Sequence, residues 1–109
     1  TPMTIALRKP IAQYYAADRL NGEAVAKCFT STGVVQDDGT TYTGWNEINQ
    51  WKTQASTKYR CKSEPIVSRE IDGGIVVTTR LVGNFPGSPA TARYYFTLDG
   101  QKVSALRIA

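Results

Sequence analysis

Val34-Val35-Gln36-Asp37-Asp38-Gly39-Thr40-Thr41-Tyr42-Thr43-Gly44-Trp45-Asn46-Glu47-Ile48-Asn49-Gln50-Trp51 is the stretch on which the fold turns. It reads as a short strand, an Asp-Gly hairpin turn, a second short strand and a helix opening at Gly44. The helix places Trp45, Ile48, Trp51 and Ala55 along one stripe, with Asn46, Gln50 and Thr53 elsewhere. Glu47, in its first turn, suits the positive end of the helix dipole. Residues before this stretch read as helical and nearly everything after it as strands, so it joins two halves. If Val35 faces the core, the two-residue period of a strand turns Asp37 the same way. A carboxylate among apolar side chains has its charged form disfavoured, which suits a group that takes up a proton. The alternative for Asp37 is to accept hydrogen bonds from the turn, as hairpin aspartates do. Asp38 faces the other way and serves the turn alone.

Toward the N-terminus, residues 4–20 carry Ile5, Leu7, Ile11, Tyr14, Tyr15 and Leu20 at roughly helical spacing, with Pro10 starting or kinking the helix. Asn21-Gly22 reads as its close, through residues that tolerate positive φ, and Asn21 also as the cap of a short helix from Glu23 to Cys28. Thr30-Ser31-Thr32-Gly33 then reads as the loop into the first strand.

Toward the C-terminus the alternation has period two. Asp72-Gly73-Gly74 and Asp99-Gly100 read as tight hairpins, and residues 84–89, Asn-Phe-Pro-Gly-Ser-Pro, as a longer connection. The strands fall near 58–71, 75–84, 90–98 and 102–108, an antiparallel meander bent near Pro65. Charge is costly in a core, so Lys58, Arg60, Lys62, Arg80, Arg93 and Arg107 point outward. Tyr59, Cys61, Val77, Thr79, Leu81, Ala92, Tyr94, Phe96, Leu98, Leu106 and Ile108 then point inward. Val76, Val82, Tyr95 and Val103 remain outside among the arginines, a surface suited to a homodimer or simply to solvent.

Composition narrows the chemistry. The 109 residues, 41% hydrophobic and 20% charged, fit one α+β domain over 1–109 able to bury a core. With no histidine and only Cys28 and Cys61, a zinc site is disfavoured and a Cys-His nucleophile excluded. Both cysteines are expected as small core hydrophobes. Acid-base work falls to carboxylates, tyrosines, lysines or thiols. A net charge of +4, spread from Arg8 to Arg107, gives no basic helix for nucleic acid, though the Lys58, Arg60 and Lys62 row is where one would bind. No run is long and apolar enough for a membrane span, and no basic-apolar leader pattern is visible, so the expectation is a cytoplasmic protein.

The order helix, short helix, hairpin, helix and bent meander resembles the cone-shaped fold of nuclear transport factor 2, ketosteroid isomerase and the SnoaL-like polyketide cyclases. The residues carrying the resemblance are Tyr14 and Tyr15, the run Phe29 to Asp37, Tyr42-Thr43-Gly44, and Ile48 with Trp51. An uncharacterised SnoaL-like subgroup is similar more closely, through residues 35–39, the loop 84–89 and Leu98-Asp99-Gly100. The resemblance covers the whole chain and implies a curved antiparallel sheet around a pocket. It places Asp37 where ketosteroid isomerase has its general base. Tyr14, or Tyr15 if one gap moves, falls at that family's oxyanion tyrosine. Its second oxyanion donor, an aspartate, aligns with Tyr94, or with Arg93 for another placement of the Asp99-Gly100 turn. Neither is a carboxylic acid, a departure that weighs against steroid isomerisation itself.

The function expected is binding of a small apolar carbonyl compound without metal or organic cofactor, with isomerase, cyclase or lyase chemistry at Asp37, Tyr14 and Tyr94. Tyr59, Phe29, Trp45, Phe85, Phe96 and Leu106 are expected to line the pocket. The competing expectation is a non-catalytic dimeric binding module on the same fold.

Overall fold

The computed structural model describes residues 7–59 and 62–109, with the backbone alone for residues 56–59. Two short helices, α1 (Lys9–Asp18) and α2 (Gly22–Lys27), lead into strands β1 (Phe29–Asp37) and β2 (Thr40–Thr43), followed by α3 (Gly44–Tyr59). Strands β3 (Lys62–Ile71), β4 (Gly74–Val82), β5 (Ala90–Asp99) and β6 (Lys102–Ile108) complete the chain. The six strands form one curved sheet in the order β2-β1-β6-β5-β4-β3. All neighbours are antiparallel except β1 and β6, which run parallel and close the two halves of the chain on each other.

Local chemistry accounts for most boundaries. Pro10 sits in the first turn of α1, where its missing N–H costs nothing. Asn21 caps α2 by accepting the amide of Ala24 at 2.8 Å. It does so in extended conformation, φ −165°, so α1 closes without the positive-φ residue expected at Asn21-Gly22. Gly22 is needed for another reason: a Cβ there would lie 2.7 Å from the Asn49 carbonyl and closer still to Thr53 Oγ1, because α2 packs directly on α3. At the hairpin, Asp38 and Gly39 take φ of 52° and 77°, the left-handed pair of a type I′ turn. The Glu47 carboxylate accepts the Thr43 amide at 3.0 Å and so caps α3 from within its first turn.

The sheet faces agree with the charge-based reading over most of their length. Val77, Thr79, Tyr94, Phe96 and Leu106 are buried inside, while Arg80, Arg93 and Arg107 are exposed. The core is aromatic at its centre, where the Tyr14 ring meets Tyr15, Phe29, Tyr94 and Phe96 edge-on with centroids 5.2 to 6.3 Å apart.

Four expectations are corrected. The helix α3 runs on to Tyr59, so residues 58 and 59 are helical and the meander starts at Lys62. The segment has no Gly or Pro to stop the helix, and its short alternation fits either period. The proposed Lys58, Arg60 and Lys62 strand row therefore does not form; Arg60 and Cys61 lie outside the described residues, as do residues 1–6 and the Tyr59 side chain. Residues 30–33 belong to β1 rather than to a loop, although five steps along β1, Phe29 to Val34, match only two along β6. Val103 is fully buried instead of outward, since the β5–β6 register shifts between Thr97 and Leu98 and this bulge inverts the strand's faces. Trp45 leaves the α3 stripe for the surface, 38% exposed, donating its indole N–H to the Phe29 carbonyl at 3.0 Å under the Lys27 ammonium.

Candidate functional site

Where α3 crosses the ends of β1 and β6, the sheet curls away and leaves a pocket of about 480 Å³. Trp51, Lys52 and Ala55 form the helix side, and Asp37 and Ile108 the strand ends. Tyr94 and Leu81 rise from the sheet, and Phe85 and Pro86 of the β4–β5 loop cover one edge. The pocket is of small-molecule size and mostly apolar, with few polar groups.

Asp37 reaches the pocket as the strand period demands, on the face of the fully buried Val35. It is half-buried, and its Oδ2 accepts the Trp51 indole N–H at 3.0 Å. The carboxylate is thus oriented by α3 rather than by the hairpin. Trp51 is in turn packed against Tyr42 of β2, with centroids 6.0 Å apart. Asp38 is exposed in the turn.

Three tyrosines are buried on the inner side of the sheet, and one of them, Tyr94, lines the pocket with Asp37. The Tyr94 hydroxyl is 3.4 Å from Ser63 Oγ on β3. The Tyr15 hydroxyl is satisfied by Thr79 Oγ1 at 2.7 Å. Tyr14 is fully buried and its hydroxyl has no hydrogen-bond partner among the described residues. Burial pushes the Tyr14 phenol well above its ordinary range, and the neighbouring acidic groups, Asp18 and Asp37 among them, add to the effect. Tyr15 is raised too, by burial and by Asp18, with the Thr79 hydrogen bond working the other way. Both therefore stay neutral donors at any physiological pH. Of the two, the structure leaves Tyr14 with the uncommitted hydroxyl.

Of the other aromatic and aliphatic candidates, Phe29, Phe96, Leu106 and Trp45 stand apart from the pocket wall. Phe29, Phe96 and Leu106 are core residues no more than 1% exposed, the first two holding the Tyr14 ring. Trp45 is on the surface, as described, and Phe85 lies in the pocket wall.

Two functional groups escaped the sequence reading. Lys52 lines the pocket with its side chain 5% exposed and forms an ion pair with Asp18, 1% exposed, at the end of α1. No donor other than the Lys52 ammonium reaches Asp18 Oδ1 among the described residues. A signal was available: Asp18 continues the Ile11, Tyr14, Tyr15 stripe at i+7, and Lys52 stands four residues after Ile48 on the Ile48, Trp51, Ala55 stripe. One opposite charge on each apolar stripe points to a pair. Among the described residues, no cluster of His, Cys, Asp and Glu suited to a metal ion forms, and no helix is long and apolar enough to cross a membrane.

No protein-family model matches the sequence, and a search of curated proteins returns no match. Solved structures do match. A candidate polyketide cyclase of Sinorhizobium meliloti is 29% identical with a TM-score of 0.89, covering 94% of this chain and 95% of its own. A Catenulispora acidiphila protein of ketosteroid isomerase-like fold, solved with trimethylamine, is 16% identical with a TM-score of 0.83, covering 95% and 86%. An NTF2-like protein of unknown function from Cytophaga hutchinsonii is 14% identical with a TM-score of 0.75, covering 100% and 93%. With three helices packed on a curved, unclosed sheet and these neighbours, the chain has the α+β cone fold of the SnoaL-like, ketosteroid isomerase-like and nuclear transport factor 2-like proteins.

Proposed function

We propose that the protein binds a small, largely apolar carbonyl compound in the 480 Å³ pocket and moves a proton on it without a cofactor. The observation that carries this reading is the meeting of Asp37 and Tyr94 in one apolar pocket, with the ring of Tyr14, whose hydroxyl has no partner among the described residues, edge-on to the Tyr94 ring. Asp37, held by the Trp51 indole, takes a proton from the carbon beside the carbonyl. Negative charge then grows on the carbonyl oxygen, where the Tyr94 hydroxyl meets it. Tyr14 supports Tyr94 from within the core with a neutral hydroxyl dipole. Return of the proton from Asp37 to another carbon completes an isomerisation, and attack of the enolate carbon on a second carbonyl gives a cyclisation.

A probe for the proton step is 2-tetralone, a bicyclic ketone with acidic α-protons, incubated with the protein in deuterium oxide and followed by proton NMR. The expected result is α-proton exchange well above the buffer rate, lost by about a thousandfold in Asp37→Asn. Binding of 2-tetralone should change little, because the amide oxygen of the introduced asparagine still accepts the Trp51 indole N–H. Exchange that survives in Asp37→Asn would remove the base. Binding without exchange would leave a ligand-binding module.

The outer sheet face supports a second reading, a dimeric binding module. Val67, Val76, Val82 and Tyr95 share that face with Arg69 and Arg107, and the Arg107 guanidinium stacks on Tyr95 at 4.3 Å.

A further inference from the structure

We infer that the ligand of this pocket carries an anionic oxygen, a carboxylate or an equally charged oxyanion, and that Lys52 is the residue that selects it. The inference rests on the pocket reading above and deepens it by naming the ligand's charge. An ammonium has three N–H donors. Among the described residues, Asp18 Oδ1 is the one acceptor that Lys52 Nζ meets, while the side chain is 5% exposed and lines the pocket. Its other close neighbour is the Trp51 ring, 5.5 Å from Nζ, which offers a π face and no lone pair. Up to two strong donors are therefore left for the pocket side, where Lys52 lines the wall. An acceptor on the ligand meets them there with a charge-assisted bond.

Charge placement favours an anion over a neutral acceptor. Asp18 pairs with Lys52 away from solvent, with side-chain exposures of 1% and 5%. Charge-assisted hydrogen bonds to such a group are about twice as strong as neutral ones. Asp37 is the opposing charge, and its Oδ2 is already engaged by Trp51. The pocket is thus polar at two places with different tasks, a base at Asp37 and an anchor at Lys52. An anchored anion fixes which carbon of the ligand faces Asp37. Lys52 is a binding residue in this scheme, and no bond is made or broken at it.

Paired probes of one shape test this: 2-naphthoate, an anion, and 2-naphthamide, its neutral isostere, titrated by calorimetry against the full chain. The expected result is at least about tenfold tighter binding of 2-naphthoate. That preference should disappear in Lys52→Met while 2-naphthamide binds as before. Since Lys52→Met strands a buried carboxylate, the double variant Asp18→Asn/Lys52→Met is measured beside it, removing both charges together. Equal binding of the two probes by the unaltered protein, or a preference for 2-naphthoate that persists in the double variant, overturns the assignment of Lys52 and leaves the pocket reading standing. Binding of neither probe overturns the pocket reading, and this assignment with it.

Discussion

On the function proposed above, Tyr14 trades stability for chemistry. Its hydroxyl is buried without a partner among the described residues, in a ring cage made by Tyr15, Phe29, Tyr94 and Phe96. Removing an unsatisfied buried hydroxyl without changing shape is neutral or stabilising. Tyr14→Phe should therefore raise the unfolding free energy by about 1 kcal/mol in urea denaturation. It should also slow 2-tetralone exchange by about tenfold, the scale of a supporting group acting through another. A loss of stability on this change would mean that the hydroxyl has a structural partner after all. Asp37 was legible in the sequence because strand alternation fixes its face from Val35, and the resemblance marks its place. Lys52 and Asp18 were not read, because charges are assigned to solvent by default and only their position on two apolar stripes gave them away.

At the level of elements, the close contact of α2 with α3 is the point of least tolerance. Gly22 faces the Asn49 carbonyl and Thr53 Oγ1 at distances no Cβ can accept. Gly22→Ala should cost about 1 to 3 kcal/mol by overpacking, even though alanine is the better helix former. The urea midpoint reads this directly, and an unchanged or higher midpoint would show that the two helices can separate without penalty. The hairpin, the capped start of α3 and the meander turns were legible because each rests on local chemistry: Asp38-Gly39, Gly44 with Glu47, Asp72-Gly73 and Asp99-Gly100. The errors lie where distant structure decides. Whether residues 58 and 59 continue a helix or open a strand depends on packing, and the burial of Val103 depends on a register shift against β5 that no local pattern announces.

For the whole molecule, the main open surface is the outer face of the sheet. Across it runs a row from Arg69 through Val76 and Tyr95 to Arg107, one residue from each of four strands. Val67 and Val82 stand beside it, 52% and 40% exposed. If this face joins two copies, sedimentation should give a dimer that Val76→Lys together with Val82→Lys converts to monomer with the fold intact. A monomer before substitution removes the second reading of function. The register shift between Pro65 and Val67 bears on how such copies can meet. β3 is one border of the sheet, and there the chain offers a proline without an N–H, a bulged ladder and the charges of Lys62, Glu64, Arg69 and Glu70. The opposite border, β2, is four residues long. Neither border is a good template for adding another chain's strand, so the molecule is guarded against growth into a continuous ribbon. The face is what remains for a second copy, and a two-fold contact there would close on itself at two copies.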